Sequence, residues 1–347
     1  FNAQNSSIGL VGQLSIVTFS FGGWLSPLMP DHHTGYTGGI MRICSLLPSA
    51  TEIVYALGLE NDLVGISHAC DYPSKALAKP VISQSLRQVG HLSSRKIDFI
   101  TQQARINGNP LYWIDGDLLR ELRPDLIITQ ELCEVCAVGA GSVFETAAKV
   151  LDYQPEIITI RPAGVEDILQ NILSIGRAAQ SVSTAQRLVD TMRQRIGYVK
   201  SSLVGYVEPP KVFCIDWLEP LRNTGQWSPE LVELAGGEEG LAVKWGKSRE
   251  VVWDEVLEYQ PDYLMMMPCA FDPVRVEQES GEWLRNQRDW ETLPAVIKNQ
   301  VFLFDGRIPS RHGPRVMDVM EGLAEAMWPQ RFPGLAPRGV FRQWDAR

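Results

Sequence analysis

No charged side chain occurs before Asp31, although an apolar stretch runs from Ile8 to Met29 through Gly22, Gly23 and Pro27. A secretory signal carries positive charge ahead of its apolar core, and a lipoprotein signal carries a cysteine after it; both marks are missing. Residues 1–40 are therefore expected to be a poorly ordered or signal-like extension, a truncated export signal or membrane anchor being the alternative, with the domain starting near Met41. Cysteine is scarce too. The six present are too few for a disulfide scaffold in a chain of 347 residues. Basic stripes are absent, and a net charge of -9 would repel a phosphate backbone, which excludes nucleic acid as a partner. No GxSxG elbow, HExxH pair or phosphate-cradling GxxxxGK[ST] occurs. Gly139-Ala-Gly141-Ser-Val-Phe144 lacks the third glycine of a dinucleotide fingerprint and stands too far from the preceding strand for a tight turn.

What is present is the composition of an ordinary soluble globular protein, 45% hydrophobic and 21% charged. The length suits two lobes rather than one core. An internal repeat supports that division: Asp117-Leu-Leu-Arg-Glu-Leu-Arg-Pro-Asp-Leu-Ile-Ile-Thr129 aligns with Asp254-Glu-Val-Leu-Glu-Tyr-Gln-Pro-Asp-Tyr-Leu-Met-Met266 at a constant offset of 137. Each copy reads as a two-turn amphipathic helix with an Asp at its N-terminus, a Pro that ends it, and a buried strand. The apolar runs 42–47 and 211–215 open the lobes, each followed by a helix that stops at glycine, near Gly58 and near Gly236. Leu63 to Ile66, Ile157 to Ile160 and Val301 to Phe304 are further expected strands. The alternation predicts an α/β protein of two Rossmann-like lobes with mainly parallel sheets and a ligand cleft at the carboxyl ends of the strands.

Between the lobes, Val165 to Val204 contains no Pro and only two Gly, with apolar residues at helical spacing. It predicts a single long helix spanning roughly 55 to 60 Å at 1.5 Å per residue. The expected boundaries are an N-terminal lobe over 41–163, the connecting helix over 164–205, a C-terminal lobe over 209–332, and a tail over 333–347.

Cys44, Cys214 and Cys269 lie in or beside strand-like runs, where a free thiol acts as a small hydrophobe. Cys70, Cys133 and Cys136 fall in loops instead. His68 and Cys70 from one loop, with Cys133 and Cys136 from another at the same sheet end, supply four candidate metal ligands for zinc or iron, or an axial ligand for cobalt. The HxC spacing is tighter than metal loops usually show, and satisfied loop cysteines are the competing account. A metal- or thiol-dependent enzyme stays open through this set, although no cofactor is required by any motif.

From Met41 to about Phe332 the chain resembles the helical-backbone class of ABC-transporter substrate-binding proteins, in the branch that binds iron-siderophores and vitamin B12. The resemblance rests on Cys44-Ser-Leu-Leu-Pro-Ser-Ala-Thr-Glu52, Cys70-Asp-Tyr-Pro73, Leu122-Arg-Pro-Asp-Leu-Ile-Ile-Thr-Gln130 and Arg311-His-Gly-Pro-Arg315, with the cobalamin-binding members most similar. It implies capture of a corrinoid or related metal chelate for delivery to a transporter permease, by a protein that is not an enzyme and is expected to be a monomer. Tyr72 matches a loop tyrosine that packs on the corrin. Ser49, Trp217, Phe271 and Arg311 complete the expected ligand-binding set together with Gln130, which stands where the family has a cleft tryptophan. Asp117 and Asp254 resemble paired carboxylates that dock on permease arginines, helix capping being the competing account. The family role implies a periplasmic or extracellular location; a domain that starts at Met41 leaves an intracellular, cytoplasmic corrinoid-binding role open. Cobalamin, cobinamide, heme and siderophore are not separated by these residues.

Overall fold

The computed structural model describes residues 41–85, 92–107, 109, 111–130, 140–205 and 208–345. The expectations placed on residues 1–40 and on Cys133 and Cys136 lie outside the described residues.

The N-lobe opens with β1 (Ile43–Ser45), buried along its whole length as the centre of a parallel sheet requires. Pro48, pre-set in φ, starts α1 (Pro48–Ala56), and Gly58 turns the chain out of it at φ +73°. There follow β2 (Leu63–Ile66), β3 (Ser83–Ser85), α2 (Ser94–Ile106), β4 (Tyr112–Ile114), α3 (Gly116–Leu122), β5 (Leu126–Gln130), α4 (Ala140–Val150) and β6 (Glu156–Ile160). The sheet order is β2-β1-β5-β6, parallel throughout, and β3 and β4 form a separate antiparallel pair that the sequence did not announce.

Two helices follow, α5 (Val165–Ala178) and α6 (Val182–Ser202). The C-lobe then runs β7 (Lys211–Trp217), β8 (Arg222–Asn223), α7 (Ser228–Leu234), β9 (Glu238–Glu239), α8 (Trp253–Tyr259), β10 (Tyr263–Met266), α9 (Pro273–Arg285), α10 (Pro294–Ile297), β11 (Val301–Phe304), α11 (Val316–Met327) and β12 (Phe341–Gln343). Strands β9, β7, β10 and β11 are mutually parallel, while β8 and β12 run antiparallel at the sides. The repeat holds to the residue: α3 and α8 occupy equivalent positions, and each ends on a left-handed residue, Arg123 at φ 39° and Gln260 at φ 52°.

The single long helix expected over 164–205 is corrected to two helices. Gln180 adopts φ 53°, which ends α5, and Ser181 N–H donates to Gly176 O at 2.7 Å as the chain turns back. Arg193 Nη2 then pairs with Glu166 Oε1 at 2.9 Å, a contact that only antiparallel helices allow between residues so far apart in sequence. A Cβ on Gly176 would collide with that of Ala185, so glycine here lets the two helices touch. Apolar spacing did not reveal the break, because one long helix and two antiparallel ones bury the same stripe. Helix α5 packs against α1 and β6, and α6 reaches α7 and α11, with Arg195 bonded to Asp318 and Glu321 at 2.6 Å. One apolar cluster continues from Ile43 and Ile53 through Ile172 and Val189 to Val212 and Met320, so the lobes share a packed core rather than a bare tether.

The 333–347 tail is also corrected up to its last described residue. β12 pairs with β11, Trp344 N–H donates to Val301 O at 2.9 Å, and the indole lies buried against Gly281 of α9. Thirteen residues without helix or strand, 328–340, separate this strand from α11, and nothing in its short polar pattern marks an edge strand as paired.

Candidate functional site

Parallel strands direct their carboxyl ends to one side, and there Ser49 and Glu52 of α1, Asp71 after β2 and Gln130 at the end of β5 meet Arg311, His312 and Arg315 after β11. Glu52 sits in α1, an otherwise uncharged helix, with its side chain 2% exposed. A buried carboxylate must be paired. Arg315 supplies the pair from the C-lobe through Nε at 3.0 Å and Nη2 at 2.6 Å, and Arg311 adds Nη1 at 3.2 Å. Arg311 Nη1 also donates to Asp71 Oδ1 at 2.5 Å, and Arg307 approaches Asp71 Oδ2 at 3.6 Å. Burial works against ionising Asp71, but Arg311 and Arg307 outweigh it and hold the carboxyl below its ordinary range.

Beside this ion cluster lies His312, buried within the lobe contact. Its Nδ1 is 3.2 Å from Ser49 Oγ, its Nε2 is 3.1 Å from Gln130 Oε1, and its ring meets Trp227 edge to face at 5.5 Å. A neutral ring protonated on Nε2 satisfies both bonds, donating to Gln130 and accepting from the Ser49 hydroxyl. Burial agrees with that form, pressing the imidazole down to about 4. Ser49, Gln130 and Arg311 are thus brought together, but as a buried contact between lobes. In this arrangement His312 meets Ser49 Oγ and Gln130 Oε1, and the carboxylates of Glu52 and Asp71 hold the guanidinium of Arg311.

Tyr72 is the expected residue that does face outward, with 46% of its surface exposed. Arg315 lies over its ring at 3.8 Å from the centroid. Trp217 is half-buried; its indole N–H donates to Glu219 O at 3.1 Å and its ring meets Phe271 at 5.4 Å. Phe271 lies in the core, 2% exposed with the Arg275 guanidinium 3.5 Å above its face. A cavity of about 670 Å³ opens where α9 begins, lined by Asp272, Arg275, Gln278, Glu279 and Arg307 among others. Another of about 470 Å³ lies between Arg95 of α2 and Glu219, Trp253 and Trp283 of the C-lobe.

Of the expected metal set, His68 and Cys70 are among the described residues. The His68 ring stacks on Tyr112 at 5.1 Å with Nδ1 3.0 Å from Ser83 Oγ. Cys70 turns instead into a buried hydroxyl cluster, 3.0 Å from Thr51 Oγ1 and 3.2 Å from Ser67 Oγ, where burial pushes its thiol pKa up. Among the described residues no three His, Cys, Asp or Glu side chains are grouped to hold a metal.

Asp117 and Asp254 stand at equivalent places in the repeat, on the first turns of α3 and α8, and both side chains are largely exposed. Capping falls to other residues: Asp115 Oδ1 accepts the Leu118 N–H at 2.9 Å, and Glu255 Oε2 accepts the Val252 N–H at 2.9 Å. Among the described residues the twin acids make surface pairs, with Arg120 at 2.7 Å and Arg288 at 2.6 Å.

Sequence reasoning gave no role to Glu52, Asp71, Arg307 or Arg315. A lone acid in a buried, otherwise uncharged helix was the available signal for Glu52. Its partners lie 259 and 263 residues away, which no local pattern shows.

A family model described as periplasmic binding protein matches residues 43–308. The vitamin B12-binding protein of Vibrio parahaemolyticus is 23% identical over 288 residues, covering 82% of this chain and 89% of that protein. The uncharacterized ABC transporter substrate-binding lipoprotein YvrC of Bacillus subtilis is 24% identical over 301 residues, covering 84% and 81%. Among solved structures, the periplasmic vitamin B12 binding protein BtuF of Vibrio cholerae superposes with a TM-score of 0.57 at 23% identity, covering 82% of this chain and 96% of that one. The periplasmic heme binding protein HutB of Vibrio cholerae superposes with a TM-score of 0.61 at 16% identity, covering 84% and 100%. Among the described residues no helix is long and apolar enough to cross a membrane.

Proposed function

The chain belongs to the periplasmic binding protein family, and on that premise we propose that it captures a corrinoid, or a closely related flat metal chelate, between its lobes and delivers it to the permease of an ABC transporter outside the cytoplasmic membrane. The observation that carries the ligand class is Tyr72: an aromatic ring left 46% exposed at the cleft end of the N-lobe, with one face backed by a guanidinium. A flat macrocycle is held well by such a surface, since burying one ring face contributes about 1 to 3 kcal/mol. Half-buried Trp217 offers a second apolar edge on the C-lobe. The names of the curated relatives favour vitamin B12 among the flat chelates, while the heme binders share the fold alone.

Titration with cyanocobalamin, read by tryptophan fluorescence, tests this reading. We expect saturable one-to-one quenching, with Tyr72→Ala weakening affinity by about tenfold. Binding of hemin or a ferric siderophore in place of cyanocobalamin and dicyanocobinamide would remove the corrinoid from the proposal.

A further inference from the structure

Resting on that reading of Tyr72 as the ligand platform, we infer that Arg315 is its positioning residue: a C-lobe guanidinium, clamped by the buried N-lobe carboxylate of Glu52, backs the Tyr72 ring and fixes which face meets the ligand. Three observations support the chain of contacts. Glu52 holds Arg315 through two nitrogens, at 3.0 Å and 2.6 Å, the fork geometry that leaves a guanidinium little freedom to rotate. The plane so fixed lies 3.8 Å from the centroid of Tyr72, within stacking distance. The tyrosine remains 46% exposed although the arginine covers it, so exposed surface persists beyond that contact.

The arrangement crosses the lobe boundary. Tyr72 and Glu52 belong to the N-lobe and Arg315 to the loop that starts α11, so the platform is complete only when the lobes are docked as they are here. A loop tyrosine without backing would sample several rotamers and lose that freedom on binding. Arg315 makes part of that ordering a property of the ligand-free protein. A methyl or ammonium group in its place would fill space without providing a flat surface.

A double-mutant cycle separates positioning from general support. Arg315→Lys keeps the positive charge beside Glu52 but loses the planar stack, and should weaken cyanocobalamin binding about three- to tenfold. In a Tyr72→Ala background the same substitution should change affinity less than about twofold, because nothing remains to be positioned. Glu52→Gln, which loosens the clamp without altering its shape, should repeat the pattern and serves if Arg315→Lys fails to fold. An equal loss in both backgrounds, or none in either, overturns the role of Arg315 alone. If the unaltered protein binds neither cyanocobalamin, dicyanocobinamide nor hemin, the ligand reading falls and this role falls with it.

Discussion

In the N-lobe, Asp125 Oδ2 accepts the backbone N–H of Arg42 at 2.8 Å, and the Arg42 side chain reaches the Leu122 carbonyl at the end of α3. In the C-lobe, Asp262 Oδ2 accepts the N–H of Lys211 at 3.2 Å, and the Lys211 side chain reaches the Tyr259 carbonyl at the end of α8. The same latch, built from the Asp of a Pro-Asp turn and a basic residue that opens the central strand, ties helix to sheet in both lobes. Across the sheets, at the carboxyl ends of the strands, the likeness stops. The N-lobe offers the carboxylates Glu52 and Asp71, and the C-lobe answers with Arg307, Arg311 and Arg315. Repetition keeps the parts that make each lobe fold, and opposite charge joins the two where the ligand is proposed to lie.

The asymmetric side should break hardest. Glu52→Ala leaves Arg315 facing a buried cavity without its carboxylate and Arg311 with Asp71 alone, and removing one partner of a buried pair typically costs about 3 to 5 kcal/mol. Urea denaturation should register a loss of that order, and a change below about 1 kcal/mol would mean that solvent reaches the cluster and screens it.

His312 tests the same contact through pH. Its folded pKa, about 4, lies below the ordinary value of 6.5, so between these values the unfolded chain binds a proton that the folded chain refuses. The contribution of the neutral ring is therefore complete above pH 6.5 and is lost as pH falls towards 4, by about 3 kcal/mol in all. His312→Gln should flatten that part of the stability curve; an unchanged acid slope would place the loss on other groups.

How much of this the sequence disclosed follows the same division. The latch lies in local pattern: Pro-Asp followed by an apolar run is visible twice, and α3 and α8 stand where the offset put them, down to the left-handed residues that end them. The α5–α6 turn was hidden because Gln180, a residue type common inside helices, is the one that adopts φ 53° there. The lobe contact was hidden differently. Arg311-His-Gly-Pro-Arg315 was plainly a polar loop, but whether it met a ligand or Glu52 depends on contacts more than 250 residues apart in sequence, with one guanidinium able to serve either.

The latches give a finer comparison. Asp125→Ala should cost about 1 kcal/mol, a usual net value for one partly buried hydrogen bond. Asp262→Ala should cost less, since its bond to Lys211 is longer and exposed. Thermal melts of the two variants rank them, and the reverse order would mean that the Asp262–Lys298 pair at 2.9 Å carries more than its exposure implies.

The smallest expected effect on stability belongs to Asp117 and Asp254, and it carries the largest expected effect on transport. Neither side chain caps its helix, and each pairs with an exposed arginine, so Asp117→Lys with Asp254→Lys should leave the melting temperature and cyanocobalamin affinity unchanged. If the two lobes dock on a permease through these equivalent points, stimulation of the transporter's ATP hydrolysis should vanish in the double variant and fall partway in each single one. Partial effects of equal size would mean that the repeat supplies two like contacts. Loss through one lobe alone would mean that the lobes, alike in their latches, have diverged on the docking side as they have at the cleft.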